Sequence, residues 1–420
     1  MPQAFQVART AAASALRRRR LTGLVIAVAV LLAVTSQLTL RDLDVAVYHQ
    51  AAERVFIEGV DPYQRRPGDQ LPFTYPPTAL ILFAPLVPLN VDQSVDLMLA
   101  LNLVLAVAVM AIVTGDLARD DPSGRLLLWG PLYIAGSGGL YLTLVFGQIN
   151  LLLLLLLWVF WRGVRRGRAA AASGTALALG CIAKPHYALL AIAAGPRPGV
   201  RLVLGAGAAG LALFTLSLSV APHGAWDSWL SEIVATSSVT SLPPGHSSIA
   251  APWNRSIPGL VARFLMPNKF TEPVIGSPAA ARLIATTLIL ALGAATAWLL
   301  GRSMRRQART AIDHDLELSL IAVAVFLAAP ASWTHHLVML LPAALVLLRD
   351  AVLAPGEPAG GRLAAALVLA VLALTLDDLM PRELRVSSQA VMSLITIAVI
   401  ALWLLLAQRL DRRIRVQRAA

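Results

Sequence analysis

The sequence predicts an all-α polytopic membrane protein that forms a single domain over residues 1–420. Hydrophobic residues make up 57% of the chain and charged residues only 14%, which excludes an ordinary soluble enzyme. Apolar runs recur along the whole length, and many approach the roughly 20 residues that a membrane-spanning helix needs. These runs predict about 11 passes, and the glycines and prolines that interrupt them predict re-entrant half helices lining a cavity.

The arginine pattern predicts which helix ends face the cytoplasm. Arg17–Arg20 directly precede the first apolar run, Leu21–Leu40, so the positive-inside rule puts the N-terminus in the cytoplasm. Four more arginine clusters are assigned to the same side: residues 162–168, 197–201, 302–309 and 409–418. The outer side of the plasma membrane then receives a first outer loop (41–77), a large outer loop (221–278) and the segment 332–336, and residues 409–420 form a cytoplasmic basic tail. Residues 170–194 must enter and return as a broken hairpin.

Composition excludes several other classes of protein. The net charge of +12 comes from arginines beside apolar runs, which suits membrane lipids better than nucleic acid. Cys181 is the single cysteine, so neither an intramolecular disulfide nor a cysteine-based metal site is expected. The chain has no HExxH spacing, P-loop, dinucleotide fingerprint or nucleophile elbow, so we expect no metal and no cofactor.

The first outer loop gathers carboxylates, tyrosines and arginines next to the membrane. Residues 44–58 predict an amphipathic helix on the outer membrane surface, which Gly59 ends. Asp44 and Tyr48 are spaced i, i+4 and share one face of this helix. Asp42 or Asp44 is a candidate general base, because a carboxylate at the membrane boundary can have its pKa shifted. The alternative is a carboxylate that only stabilises the helix N-terminus.

Polar residues inside or beside apolar runs are the other candidates. His335 and His336 either stabilise a phosphate or simply lie at the membrane interface. Lys184 lies within an apolar run, where a lysine is costly and by default functional, unless it snorkels to the interface. Gln148 and Asn150 either cap a helix or line a cavity. In the large outer loop the tryptophans form an interfacial belt or stack on sugar rings.

Seven short motifs, in this order along the chain, are similar to a known family: Asp44-Val45-Ala46-Val47-Tyr48 with Ala51-Ala52, Gly59-Val60-Asp61-Pro62-Tyr63, Phe73-Thr74-Tyr75-Pro76-Pro77, Gly147-Gln148-Ile149-Asn150, Lys184-Pro185, Asn254-Arg255-Ser256 and Ser332-Trp333-Thr334-His335-His336. The chain resembles the polytopic GT-C glycosyltransferases. More specifically, it resembles the family-87 polyprenol-phosphate-mannose-dependent mannosyltransferases of high-GC Gram-positive (actinobacterial) envelopes.

The resemblance implies a GT-C fold and a base in the first outer loop. By its motif spacing that base is Asp44, although the neighbouring Asp42 leaves the register open; His335 and His336 are possible catalytic support. Donor or acceptor contacts are expected from side chains of the motifs: Tyr48, Tyr63, Tyr75, Gln148, Asn150, Lys184, Asn254, Arg255 and Trp333. The implied partners are a polyprenol-phosphate-sugar donor, a glycolipid acceptor of the phosphatidylinositol mannoside or lipomannan type, and membrane lipids.

The implied reaction is a single displacement with inversion, in which the acceptor hydroxyl attacks a β-linked mannosyl phosphate and forms an α-mannoside, with an α-1,2 linkage favoured. Arabinofuranosyl transfer from a polyprenol phosphate is the nearest alternative. A lipid-linked sugar transporter or flippase, or a structural envelope protein, are the non-catalytic alternatives.

Overall fold

The computed structural model describes residues 2–41, 43–167, 170–195, 199–306, 308–375 and 388–419, and these parts are helical without a β-strand. The α-helices are α1 (Pro2–Thr35), α2 (Leu43–Glu53), α3 (Val91–Leu117), α4 (Leu126–Ala135), α5 (Gly138–Val145), α6 (Asn150–Arg165), α7 (Ala171–Gly180), α8 (Val200–Val220), α9 (Ala225–Ser228), α10 (Ile257–Leu265), α11 (Pro278–Met304), α12 (Ala311–Ala328), α13 (Leu341–Leu347), α14 (Ala359–Leu374) and α15 (Gln389–Ala419). Shorter 3-10 helices cover Pro77–Leu86, Ala118–Asp120, Pro185–Ala194 and Thr334–Leu340, and π-helical turns cover Arg54–Glu58, Trp229–Val234 and Leu348–Val352.

Helix length and hydropathy confirm a membrane protein. Within the described residues, 5 helical segments are long and apolar enough to cross a membrane: Val91–Asp120, Val200–Val220, Pro278–Met304, Thr334–Val352 and Gln389–Gln417. Five further helices of 10–17 residues are apolar but shorter. The number of about 11 passes stays a prediction, because several of its passes correspond to these shorter helices.

The arginine clusters meet at one end of the helix bundle through shared carboxylates on α12. Asp313 pairs with Arg306, at 3.1 Å, and with Arg413, at 2.7 Å, so the clusters before α12 and in α15 touch. Asp315 pairs at 2.7 Å with both Arg165 and Arg349, which brings the end of α6 to the same place. We call this the arginine end. Three of the clusters therefore share one location, and their side of the membrane stays a prediction.

The predicted outer segments lie at the opposite end. Helix α6 starts at Asn150 and reaches the arginine end at Arg165, a length of about 24 Å at the usual rise per residue. Helix α12 starts at the arginine end and leads to Ser332 and the two histidines. The first outer loop reaches this end, since its Tyr75 hydroxyl lies 3.3 Å from Gln148 Oε1, just before α6. The large outer loop contacts the first outer loop, since Trp229 Nε1 donates to the Thr74 carbonyl at 3.2 Å.

Helix α2 corrects one expectation. A helix does cover Leu43–Glu53, continues as a π-helical turn to Glu58, and ends at Gly59 in the left-handed conformation with φ 66°. The expected position on the outer membrane surface is wrong, however, because residues 45–49 and 51–52 are all buried. The helix packs against α3 and the 3-10 helix Pro77–Leu86. Consecutive residues along a helix point in different directions, so the burial of five in a row shows that protein covers more than one face.

The segment 171–194 consists of two short helices that flank Lys184. Helix α7 approaches α8 at small residues, where a β-carbon on Gly174 would lie 2.0 Å from the Leu202 carbonyl oxygen. The 3-10 helix Pro185–Ala194 ends at the arginine end, since Arg309 Nη1 donates to the Ala193 carbonyl at 3.4 Å. Lys184, at the turn between the two helices, points to the opposite end and comes within electrostatic range of Asp44.

Candidate active site

Asp44 lies in the first turn of α2, at the end of the bundle opposite the arginine end. The segment before it is fixed by a backbone hydrogen bond from Arg41 to the Val145 carbonyl, at 2.9 Å. Its side chain is partly buried, and this burial raises the pKa of Asp44 to about 6. A hydrogen bond with Gln148 and the charge of Lys184 act in the opposite direction. The result is a carboxylate that is ionised at neutral pH and more basic than an ordinary aspartate.

Gln148 is the centre of a hydrogen-bond network beside Asp44. Its Oε1 accepts from the Tyr48 hydroxyl at 3.0 Å and lies 3.3 Å from the Tyr75 hydroxyl, and the two hydroxyls are 3.2 Å apart. Because Oε1 is occupied by phenols, the amide NH₂ is the group that donates to Asp44. Tyr48 of the same helix and residues from two distant segments therefore surround one carboxylate.

Aromatic rings form a wall behind these hydroxyls. Tyr48 stacks on Phe83 with 4.4 Å between ring centroids, and Tyr75 stacks on the same ring at 6.3 Å. Tyr63 lies at the back of the wall, where its hydroxyl donates to the Tyr75 carbonyl at 2.7 Å. Tyr63 thus holds Tyr75 in place, while Tyr48 and Tyr75 present hydroxyls beside Asp44.

Lys184 supplies a buried positive charge to the same region. Its side chain is buried, and among the described residues no carboxylate forms a direct ion pair with its ammonium group. Asp44, His335 and His336 all lie within electrostatic range of it. A buried cation needs a compensating partner, so this lysine has the character of a site residue.

His335 and His336 lie near Lys184 and next to the loop that carries Gln148. The two imidazole rings are 4.4 Å apart and perpendicular. Thr143 Oγ1 donates to the His335 carbonyl at 3.1 Å, and Phe146 packs edge-on against the His335 ring at 5.6 Å. His335 Nε2 is buried and has no hydrogen-bond partner among the residues that the structure describes, whereas His336 Nδ1 accepts from the Trp333 amide at 3.2 Å.

Asn150 also has unused hydrogen-bonding groups. It is the first residue of α6, is fully buried, and neither its Oδ1 nor its Nδ2 has a partner within the described structure. Buried amides are nearly always paired, so the unpaired amide does not support the helix-cap interpretation, and the lining of a cavity by Asn150 stays a prediction.

Asn254 and Arg255 lie inside the protein and brace the histidine segment. Asn254 Nδ2 donates to the carbonyls of Ile249 and Pro330 at 3.0 and 2.9 Å, and its Oδ1 accepts from the Ser332 amide at 3.0 Å. Its amide is thereby fully used. Arg255 Nε donates to Thr334 Oγ1 at 2.9 Å. Both residues link the large outer loop to the segment that carries the histidines through these hydrogen bonds.

Sequence reasoning left two histidines out of the site. His186, next to Lys184, and His246, in the large outer loop, both lie within electrostatic range of His336. His246 stacks on Trp333, with ring centroids 5.2 Å apart. The sequence signal that could have identified His246 is its location in a loop that was already assigned to the outer side. Asp42 lies outside the described residues, and no metal-binding group of three or more His, Cys, Asp or Glu side chains is present in the parts that are described.

Comparison with known proteins identifies the family. The model of glycosyltransferase family 87 matches residues 73–330, which is more than half of the chain. The chain belongs to glycosyltransferase family 87. The match covers Tyr75, Gln148, Lys184 and Asn254, but Asp44 precedes it. This family-87 protein is therefore a glycosyltransferase, as its motifs predicted.

Two curated relatives extend over most of the family-87 chain. A polyprenol-phosphate-mannose-dependent alpha-(1-2)-phosphatidylinositol mannoside mannosyltransferase of Mycobacterium tuberculosis is 29% identical over 330 residues, 73% of this chain and 70% of that protein. A protein of the same name from Mycolicibacterium smegmatis is 26% identical over 333 residues, 74% of this chain and 70% of that one. No solved structure matches this glycosyltransferase.

Proposed function

We propose that this glycosyltransferase transfers a mannosyl group from polyprenol-phosphate-mannose to a glycolipid of the phosphatidylinositol mannoside or lipomannan type. The names of the two relatives support this donor and the first of these acceptors. The observation that carries the proposal is the grouping of a basic carboxylate, Asp44, with a buried cation, Lys184, and the histidine pair of buried His335 and half-buried His336. Sugar transfer from a lipid phosphate needs these two functions, a base for the acceptor and positive groups for the leaving phosphate.

Asp44 acts as the general base in this mechanism. The acceptor hydroxyl gives its proton to the Asp44 carboxylate while its oxygen forms a bond to the anomeric carbon of mannose. Because the carboxylate has a pKa of about 6, it is ionised at pH 7 yet basic enough to draw the proton in the transition state. Gln148, Tyr48 and Tyr75 hold the carboxylate and the attacking hydroxyl in line.

The opposite side of the sugar carries the leaving group. The bond between the anomeric carbon and the phosphate oxygen breaks, and its electron pair leaves with the polyprenyl phosphate, which gains one negative charge. Lys184, His335 and His336 offset that charge, so no acid is needed to protonate the leaving oxygen. A single displacement inverts a β-linked mannosyl phosphate to an α-mannoside, and the α-1,2 linkage follows the names of the relatives.

The membrane arrangement belongs to the same proposal. We place the arginine end in the cytoplasm and the Asp44 end at the extracytoplasmic face of the plasma membrane, in a GT-C type arrangement. The segment 171–194 then enters and returns as a re-entrant hairpin with Lys184 at its apex. In this arrangement the polyprenyl chain stays among the helices while the sugar reaches Asp44.

The test is a reconstitution. The purified protein in lipid is incubated with radiolabelled polyprenol-phosphate-mannose and phosphatidylinositol mannoside acceptors, and the linkage in the product is mapped. Label in an α-1,2-mannosyl product supports the proposal. If the protein transfers sugar only from polyprenol-phosphate-arabinose, the donor in the proposal is wrong and arabinose takes the place of mannose. If the lipid-linked sugar crosses the bilayer without being transferred, this site is not that of an enzyme.

A further inference from the structure

His246 brings the large outer loop into the candidate active site. Its ring lies nearly parallel to the indole of Trp333, with 22° between the planes and 5.2 Å between the centroids. It is also within electrostatic range of His336. The contact therefore places a loop histidine at the edge of the His335-His336 pair, about 90 residues away in sequence.

Backbone contacts fix the hydrogen positions of two of these imidazoles. The Ser247 amide donates to His246 Nδ1 at 2.9 Å, and the Trp333 amide donates to His336 Nδ1 at 3.2 Å. A ring nitrogen that accepts a hydrogen bond carries no proton, so each neutral ring has its hydrogen on Nε2. Burial lowers the pKa of His246 to about 4, so at neutral pH its ring is an uncharged Nε2–H donor.

The donor atoms at this edge have no protein acceptor. Among the described residues, neither His246 Nε2 nor His336 Nε2 has a hydrogen-bond partner, and His335 Nε2 is buried without one. A buried imidazole nitrogen is usually paired, so the unpaired His335 Nε2 points to a missing ligand, and the Nε2 atoms of the half-buried His246 and His336 rings beside it are available to the same ligand. The nearby ammonium of Lys184 makes an anion the better fit.

The turn before His246 is fixed by the first outer loop. Gly245 has φ 80°, a conformation that side chains other than glycine rarely adopt. The guanidinium of Arg65 lies directly on it, so that a β-carbon added to Gly245 would be 2.2 Å from Arg65 Nη1. Arg65 in turn donates to the Asp69 carbonyl at 3.0 Å. The two outer loops thus position the His246 ring jointly.

We propose that His246 is a donor-binding residue whose Nε2–H donates a hydrogen bond to the phosphate of the lipid-linked sugar donor, beside His335, His336 and Lys184. This inference rests on the proposed function, because that function supplies the phosphate. It makes the large outer loop part of the donor site. The ring stacking on Trp333 sets the direction of the Nε2–H bond, and binding of the phosphate couples that loop to the histidine segment.

Two variants separate hydrogen bonding from stacking. His246→Gln keeps an N–H donor at nearly the reach of Nε2 but loses the ring, whereas His246→Phe keeps a ring against Trp333 but has no donor. The probe is a short-chain polyprenyl phosphate that competes with polyprenol-phosphate-mannose, with the matching polyprenol as the uncharged comparison. His223→Ala, an exposed histidine of the same loop, is the matched control.

We expect His246→Phe to weaken binding of polyprenyl phosphate by roughly tenfold, the loss typical of one hydrogen bond to a charged group. His246→Gln should retain most of the affinity, and His223→Ala all of it. The affinity for the glycolipid acceptor should not change in any of them. Retention by Phe with loss by Gln would assign the residue to stacking and overturn the inference.

Equal weakening in both variants, accompanied by a higher KM for the acceptor, would also overturn the inference, because it would indicate a distorted loop. The wild-type protein tests the proposed function independently of the His246 variants. If it binds polyprenyl phosphate no better than polyprenol, the phosphate-linked donor of the proposed function fails, whatever the variants do. If it prefers the phosphate and His246→Phe matches the wild type, only the assignment of His246 fails.

Discussion

The α-carbon of Gly147 lies directly against the side chain of Val45. A β-carbon added to Gly147 would be 2.3 Å from Val45 Cγ2, and the residue has φ 61°, in the left-handed region. Val45 follows Asp44 and Gly147 precedes Gln148, so this contact sets the distance between the carboxylate and the amide. The close approach of the Gly147 backbone to the Val45 side chain is what brings Gln148 to the candidate base.

Gly147→Ala should therefore damage the site and the fold together. The added methyl group has no space, and the turn has the wrong backbone conformation for alanine, so we expect a loss of about 1–3 kcal/mol in stability and a large loss of activity. Thermal unfolding in detergent and the mannosyl transfer assay measure the two effects. Gly207→Ala in α8 is the control, because nothing lies within 4 Å of its added β-carbon. A fully active Gly147→Ala enzyme would contradict the importance of this contact.

Asp44→Asn should abolish transfer while the protein still inserts and folds. Removing a general base typically costs about 10²–10⁴ in rate. In the wild-type enzyme, kcat/KM should fall about tenfold per pH unit below pH 6, because protonation of a base with a pKa of about 6 removes the active form. Rates across pH 5–8 test this. Asp227→Asn, which changes an exposed carboxylate of the large outer loop, should keep both rate and profile.

Gln148→Ala should shift that pH profile. The hydrogen bond from Gln148 stabilises the ionised form of Asp44 and lowers its pKa, so its removal should raise the pKa and move the acidic limb to higher pH. The measurement is the midpoint of kcat/KM against pH in the variant and the wild type. Gln64→Ala, at an exposed position of the first outer loop, should leave the midpoint where it is. A shift to lower pH in Gln148→Ala would refute the contact as described.

Asp315→Asn should affect stability rather than chemistry. Asp315 is fully buried at the arginine end and pairs with Arg165 and Arg349, which are also buried. Removing its charge leaves two buried cations partly uncompensated, at a cost of about 3–5 kcal/mol. We expect a lower unfolding temperature and less protein in the membrane, with near-normal kcat for the folded fraction. Asp96→Asn, an exposed aspartate of α3, should behave as the wild type.

Local features of the fold were predictable where one short segment contains its own signal. The helix after the first apolar run and its end at Gly59 follow from spacing and from the left-handed preference of glycine. The break at Lys184-Pro185 follows from proline chemistry. The placement of α2 was not predictable in the same way. Its apolar spacing suits a membrane surface as well as a protein interior, and only the packing of α3 against it decides between them.

The candidate site divides in a similar way. Asp44, Lys184 and the two histidines stand out in the sequence because titratable groups beside apolar runs are rare and costly. In the sequence, Asn254 and Arg255 are equally good candidates for the site. In the structure, their hydrogen bonds to Ser332 and Thr334 hold the histidine segment in place. His246 looks unremarkable in a polar loop, and only its stacking on Trp333 brings it to the site.

The sequence alone determined that this chain is a helical membrane protein and which family it resembles, because hydropathy and short motifs are properties of neighbouring residues. It also predicts which arginine clusters share a side of the membrane. Only the tertiary structure decided that Gln148 hydrogen-bonds to Asp44, that Lys184 lies within electrostatic range of it, and that the two outer loops meet at Gly245. Those contacts join residues between 100 and 200 positions apart. Packing of whole helices sets such distances, and no local pattern encodes them.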